Sequence, residues 1–231
     1  MHMFRDGVKS GTAIAIGYAP VALMFGLLAK STGLTLIDTT LMSMIVFAGA
    51  AQYISLNLLS LGTGPFEIIL TTFILNIRHF LMSASLHEKA EHDALWKKAL
   101  YAFGITDETF SVAAMKEGPV SASYMFGLIS ISYSSWVVHS AIGHIVGAYL
   151  PETVQIGLSV ALYAMFVGLL VPAIKTERKA LWLAVCSGLM NSALLLWLNV
   201  PKGWAIVIST IVSAICMQWI VEKGKEAEYV R

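Results

Sequence analysis

Six stretches of the chain contain no charged residue and are long enough to cross a lipid bilayer. They cover residues 10–29, 39–66, 118–151, 153–174, 180–201 and 203–221. A helix rises about 1.5 Å per residue, so roughly 20 apolar residues cross a hydrocarbon core of about 30 Å. One such stretch is compatible with a signal peptide or a buried helix, but six predict a polytopic membrane protein.

The charge content agrees with this prediction. Only 13% of the residues are charged, whereas soluble domains carry about 25%, so too few charges are present to cover a water-exposed surface. The net charge of +1 gives no basic face for nucleic acid. Too few polar residues remain outside the apolar runs for a soluble domain. We therefore predict an all-α fold, a transmembrane helix bundle in which residues 1–231 form a single transporter domain.

The number of membrane segments lies between six and eight. Segments 41–61 and 99–115 either cross the bilayer fully or are broken or re-entrant, and the sequence leaves both alternatives open. With eight spans the charged connector 87–98 lies outside the cell, and with six it lies inside. The distribution of Lys and Arg over the short loops predicts cytoplasmic termini in both arrangements.

Arg78 lies within the apolar segment 65–86, close to Asn76 and His79. A charge at the centre of a span costs about 2.5–3.5 kcal/mol on insertion scales, so it should face a cavity or a partner. The guanidinium fork matches a carboxylate, although Arg78 near a span end would instead snorkel to the interface. His79 is a candidate proton carrier or a hydrogen-bonding helix contact, and Asn76 lies on its face of the helix.

Asp107 and Glu108 are adjacent carboxylates in the weakly apolar segment 99–115. At membrane depth they could neutralise Arg78, accept an ammonium group or carry a transported proton. The alternative is that they lie in an aqueous loop.

Gly49 and Gln52 belong to a stretch of small residues that favours a discontinuous helix. In transporters, unwound backbone of this kind presents N–H and C=O groups to a substrate at the membrane midplane. The alternative is a tight helix crossing. Nucleotide-binding, metal-protease and nucleophile motifs do not occur in the sequence, so we expect neither an enzyme nor a cofactor or metal site.

Together these residues resemble the AzlC-type branched-chain amino acid exporter permeases. The resemblance covers most of the chain. It depends on YAP at 18–20 with FG at 25–26 and Ala29, FAGAAQ at 47–52, NIRH at 76–79 with LM at 81–82, and TDE at 106–108.

The resemblance implies efflux of branched-chain amino acids across a bacterial cytoplasmic membrane, with a small AzlD-like membrane subunit as partner. Because no nucleotide-binding motif occurs, an ion or proton gradient is the expected driving force. The alternative is a passive channel, or a transporter for another small organic solute. The candidate substrate-binding or coupling residues are Gly49, Gln52, Asn76, Arg78, His79, Asp107 and Glu108.

Overall fold

The computed structural model describes residues 2–176, 178–200 and 202–229, which are almost entirely helical. Ten α-helices occur in these ranges: α1 His2–Ser31, α2 Leu36–Ile45, α3 Gly49–Ser60, α4 Pro65–Lys89, α5 Leu95–Ala102, α6 Asp107–Met115, α7 Ala122–Val146, α8 Glu152–Thr176, α9 Arg178–Leu196 and α10 Lys202–Tyr229. The predicted all-α helix bundle is confirmed.

The helices α1 and α7 lie side by side, run in the same direction and form the centre of the bundle. A Cβ added to Gly7 would lie 2.1 Å from the Tyr124 carbonyl oxygen, and one added to Gly26 would lie 2.1 Å from that of Ser140. The two backbones therefore touch without intervening side chains, as small residues permit between membrane helices. We call the end of the bundle at which α1 begins the near end, and the opposite end the far end.

The helices α2 and α3 form a hairpin, the far hairpin, which enters from the far end and turns back halfway. α2 follows directly after α1, and the hydroxyl of Tyr133 in the middle of α7 donates to the Met44 carbonyl at 2.9 Å. The helix is interrupted at residues 46–48. α3 then returns to the far end, where Ser60 and Thr32 border the same cavity.

The helices α5 and α6 form a second hairpin, the near hairpin, which enters from the opposite end. Its helical backbone is interrupted at residues 103–106, where the ring of Phe103 lies 6.1 Å from that of Tyr133. α6 returns to the near end, where the Lys89 ammonium donates to the Ala114 carbonyl at 2.6 Å. The tips of both hairpins therefore reach the middle of α7.

The helix α4 connects the two hairpins and crosses the whole bundle. It begins at the far end after α3 and ends at Lys89, whose carbonyl accepts a 2.9 Å bond from the Val120 amide just before α7. Its outer surface is apolar and exposed, with Phe73 and Phe80 65% and 74% accessible. Large exposed apolar side chains of this kind suit contact with lipid.

The remaining helices continue the alternation of direction. α8 follows α7 from the far end, α9 returns, and α10 begins beside α4 at the far end, where a Cβ on Gly203 would lie 2.6 Å from Glu67 Oε1. Six long helices thus alternate, and both ends of the described chain lie towards the near end. In the described part, four helices have both the length and the apolar composition of a membrane span: His2–Ser31, Pro65–Lys89, Ala122–Tyr149 and Lys179–Leu196.

The geometry of the two hairpins favours one of the two segment counts. The segments 41–61 and 99–115 are interrupted helices that do not cross the bundle, and the six long helices remain. Each hairpin starts and finishes at one end, so the connector that follows α4 lies at the same end as the start of α1. This geometry matches the alternative in which the segments 41–61 and 99–115 are re-entrant; of the six long helices, four qualify as spans by length and composition in the described residues.

Candidate functional site

The tips of the two hairpins meet at a small cavity in the middle of the bundle. Its volume is about 20 Å³, enough for about one water molecule. The lining comes from α1, both hairpin tips, α4 and α7: Tyr18, Phe47, Ala48, Gly49, Ala50, Arg78, His79, Thr106, Asp107, Glu108 and Trp136. The cavity thus contains both signs of charge inside an aromatic wall.

The near hairpin brings its two carboxylates to this cavity through a helix cap. The Thr106 hydroxyl accepts from the Thr109 amide, and the Thr109 hydroxyl accepts from the Thr106 amide. This capping box starts α6 at Asp107. A Thr cap of this kind stabilises a helix by about 1 kcal/mol. Acidic residues in the first turn also interact favourably with the positive end of the helix dipole. The cap leaves both carboxylates free for other partners.

Arg78 is the partner of Asp107. Its Nη1 atom lies 2.8 Å from Asp107 Oδ2, and the two side chains are 33% and 24% exposed. Arg78 is eleven residues before the end of α4 at Lys89, or about 16 Å along the helix, so it lies in the middle of α4. Its Nε atom is buried without a partner among the described residues. One further donor is therefore open to a ligand.

Glu108 is held by a side chain of α1. The Tyr18 hydroxyl donates to Glu108 Oε2 at 2.6 Å and lies 2.7 Å from the Thr106 hydroxyl. Tyr18 is only 4% exposed. The two acids thus have different partners, since Asp107 pairs with a cation and Glu108 with a neutral phenol. Both acids are partly buried and line the cavity in the middle of the bundle.

The far hairpin presents backbone to the cavity. α3 starts at Gly49 after Ala48, and no side chain caps it. The first N–H groups of a helix have no partner within the helix, so they are available to an anion. A Cβ on Gly49 would lie 2.8 Å from the Trp136 ring, and so a glycine is required for the ring to pack against this turn.

Gln52 supports the cavity wall and does not line the cavity. It is fully buried; its amide nitrogen donates to the Ser43 hydroxyl at 3.2 Å, and its oxygen accepts from Trp136 Nε1 at 2.9 Å. The Trp136 ring in turn packs edge-on against Tyr18, with the ring centroids 5.2 Å apart. Gln52 therefore fixes the orientation of the aromatic wall by joining α2, α3 and α7.

The two remaining candidate residues on α4, Asn76 and His79, have different surroundings. His79 lines the cavity beside Arg78. Asn76 does not line it, and its Oδ1 atom is buried without a partner in the described part of the chain. The cavity therefore meets α4 at Arg78 and His79, and the face that Asn76 and His79 share by spacing contributes only His79 to it. Among the described residues no group of three or more His, Cys, Asp or Glu could hold a metal ion.

Sequence reasoning missed Trp136 as a site residue and did not single out Tyr18 and Phe47 beyond the resemblance. A signal for Trp136 was present, because a buried indole N–H needs an acceptor. Gln52 is an amide in an apolar run and offers one. For Tyr18 the only signal was its position next to a proline-containing turn of the first span.

Comparison with known proteins identifies the family. The family model described as AzlC protein matches residues 13–150, more than half of the chain. The chain belongs to the AzlC family. The match includes α1 from residue 13 onwards, both hairpins, α4 and α7, and with them every residue that lines the central cavity.

The relatives of this AzlC-family chain align with most of its length. It is 30% identical over 224 residues to the inner membrane protein YgaZ of Escherichia coli, covering 94% of this chain and 91% of that protein. It is 27% identical over 198 residues to the branched-chain amino acid transport protein AzlC of Bacillus subtilis, covering 84% and 77%. An uncharacterized membrane protein of Archaeoglobus fulgidus is 33% identical over 175 residues, covering 75% and 77%. No solved structure matches the chain.

Proposed function

We propose that this protein is a secondary transporter that exports branched-chain or similarly hydrophobic amino acids across a bacterial cytoplasmic membrane. One observation carries the proposal: the interruptions of two opposed half-helices meet Arg78 and two carboxylates at mid-bundle. Transporters bind substrates at such breaks. The name of the Bacillus subtilis relative, a branched-chain amino acid transport protein, supports the same substrate class.

The chemistry of the cavity matches a zwitterion with an apolar side chain. Arg78 and the uncapped N–H groups that start α3 suit the carboxylate of an amino acid. Asp107 and Glu108 suit its ammonium group, because they are the two acids of the lining. The rings of Tyr18, Phe47 and Trp136 offer apolar contact for an aliphatic side chain. A volume of about 20 Å³ does not hold leucine, so substrate binding requires the hairpin tips to separate.

Export against a gradient needs a coupled driving force. Asp107, Glu108 and His79 are our candidates for proton carriers, since they are the acidic and imidazole side chains that border the cavity. The whole chain, 1–231, is proposed as one transporter domain that works beside a small AzlD-like membrane subunit. A passive channel for the same solutes is the second candidate, because a polar break at mid-bundle also suits a constriction.

The decisive test is counterflow of labelled leucine in proteoliposomes. With unlabelled leucine inside, external label should accumulate transiently, and isoleucine or valine should compete while aspartate and lysine should not. Liposomes without protein are the control. Absence of counterflow, with and without the co-expressed partner, contradicts the proposal. Leucine-independent ion currents in planar bilayers would instead support the channel.

Topology is a separate proposal, with both termini in the cytoplasm and the connector after α4 also inside. The excess of Lys and Arg at the near end supports it. A reporter fused at residue 231 should report a cytoplasmic position, and a single cysteine at residue 92 should resist impermeant reagents added outside. A periplasmic reporter at 231 would reverse the assignment.

A further inference from the structure

A second and much larger cavity lies between α1, α3 and α4. Its volume is about 820 Å³, within the range of about 300–1,000 Å³ that ligand sites occupy. It extends from Thr32 and Ser60 at the far end to Arg78 in the middle of α4. A cavity of this length connects the far surface of the bundle to the depth of the central site.

The wall of this cavity changes character with depth. At the far end it is polar, with Ser31, Thr32, Asn57 and Ser60. Ser31 and Ser60 bond to carbonyls of their own helices at 2.8 and 2.7 Å, so each hydroxyl oxygen still has a lone pair for water. Deeper in the cavity Leu28, Ile54 and Leu75 provide apolar walls. Such a path admits water and also accepts an aliphatic side chain.

The floor of the large cavity is the boundary of the small one. Across the lining residues that the structure describes, the two cavities share Ala50 and Arg78 alone. Ala50 belongs to the first turn of α3, and Arg78 is held across the boundary by its 2.8 Å ion pair with Asp107. The ion pair therefore separates a wide compartment from the closed central site.

We infer that the large cavity is the outer half of the transport path and that the Arg78–Asp107 ion pair is its inner gate. This deepens the proposed function and rests on it. The carboxylate of an amino acid competes with Asp107 for the guanidinium, so the ligand itself breaks the contact between α4 and the near hairpin. The ammonium group of the ligand then takes Asp107 as its counter-ion. No charge is left unpaired during the exchange of partners.

The route is tested by cysteine modification in a background in which Cys186 and Cys216 are replaced by serine. Asn57→Cys lines the cavity, and Leu59→Cys, two residues further on α3, is the matched control. Leu59 is 43% exposed but does not line the cavity. An impermeant thiol reagent added outside intact cells should modify Asn57→Cys and stop leucine transport, and external leucine should slow the reaction. Leu59→Cys should keep its transport.

The gate is tested at Ala48→Cys, which lines only the central cavity. It should react slowly from outside, and Asp107→Asn should raise the rate by about tenfold, because hydrogen bonds to charged groups are worth about 1.5–3 kcal/mol. An Ala48→Cys rate equal to that of Asn57→Cys without the second substitution would overturn the gate. A lack of modification at Asn57→Cys from outside, or equal inhibition at Leu59→Cys, would overturn the route. If wild-type protein shows no leucine counterflow, the proposed function itself has failed.

Discussion

The two hairpins reach one cavity from opposite ends of the bundle, but they bring different chemistry to it. The far hairpin ends in Ala48 and Gly49, carries no charge at its tip, and starts α3 without a side-chain cap. The near hairpin ends in the Thr106 capping box and carries Asp107 and Glu108 in the first turn of α6. One tip offers backbone N–H groups, and the other offers carboxylates.

This difference shows how the same secondary structure supports opposite charge preferences. Both tips begin a helix, so both have the positive end of a helix dipole at the cavity. In α6 the two acids of the first turn already interact with that positive end. In α3 no side chain uses it, so it remains for a ligand. Two hairpins that differ in this way suit the two ends of a zwitterion, as the proposed function requires.

The largest effect on transport is expected at Arg78, the residue of α4 that lies between the two hairpin tips. Arg78→Lys keeps the positive charge but not the planar fork, and we expect it to reduce leucine counterflow by about tenfold or more, as loss of a charge-assisted bond predicts. The amount of inserted protein, measured by immunoblot of washed membranes, should not change. Wild-type transport by both Arg78→Lys and Arg78→Ala would remove Arg78 from the site.

The acids of the near hairpin are expected to separate two modes of transport. Asp107→Asn and Glu108→Gln each fix a neutral form, so concentrative efflux should fall more than exchange of leucine across the membrane, because exchange needs no net proton movement. Asp107→Asn should have the larger effect, since it also loses the 2.8 Å ion pair. Both rates are measured in the same proteoliposomes. Unchanged rates for both variants in both assays would exclude these acids from coupling.

The far hairpin should depend on the absence of a side chain at its tip. Gly49→Ala places a Cβ 2.8 Å from the Trp136 ring, so the ring must move away from the cavity wall, and we expect a several-fold loss of counterflow. Overpacking of this kind typically costs about 1–3 kcal/mol. Gly188→Ala in α9 is the control, because nothing lies within 4 Å of its added Cβ. Equal activity of the two variants would argue against a constrained tip.

The smallest effect compares two threonine caps of the same type. Thr35 caps α2 at the entry to the far hairpin, and Thr106 caps α6 at the tip of the near hairpin, each through a capping box. Thr35→Ala and Thr106→Ala should each lower stability by about 1 kcal/mol, seen as similar small decreases in Tm. Only Thr106→Ala should also reduce transport, and Thr106→Ser should restore it. A loss of transport in Thr35→Ala but not in Thr106→Ala would contradict the prediction that only the cap at the cavity matters for transport.

The sequence was sufficient for the fold class because uncharged runs leave a chain few alternatives to membrane helices. It also located the breaks, since Gly49 and the polar cluster at 106–109 interrupt otherwise apolar segments. It could not decide whether these segments cross. Both arrangements give the same hydropathy pattern, and only contacts such as those of Tyr133 with Met44 and Phe103 reveal that each hairpin turns at mid-bundle.

Within the site, the charged residues could be predicted from the sequence, but the neutral side chains that support them could not. Arg78 and Asp107 were recognisable because a buried charge requires a partner, and they are partners. Gln52 was recognised as unusual, but its bond to Trp136 joins residues 84 positions apart. Periodicity carries no information about such a contact. For the same reason the pairing of Tyr18 with Glu108 could not be foreseen from the sequence.

The close contact between α1 and α7 has a mechanical consequence. Carbonyl oxygens of each helix occupy the volume in which a side chain of the other would begin, as for Gly143 against Leu23, so neither helix can slide or rotate without a steric clash. The α1–α7 pair is therefore expected to behave as one rigid unit. The hairpins whose tips are at Ala48 and Thr106 pack less extensively against this pair than its two helices pack against each other. If the protein transports as proposed, the two hairpins are therefore the elements expected to move, and the α1–α7 pair is the part expected to stay fixed.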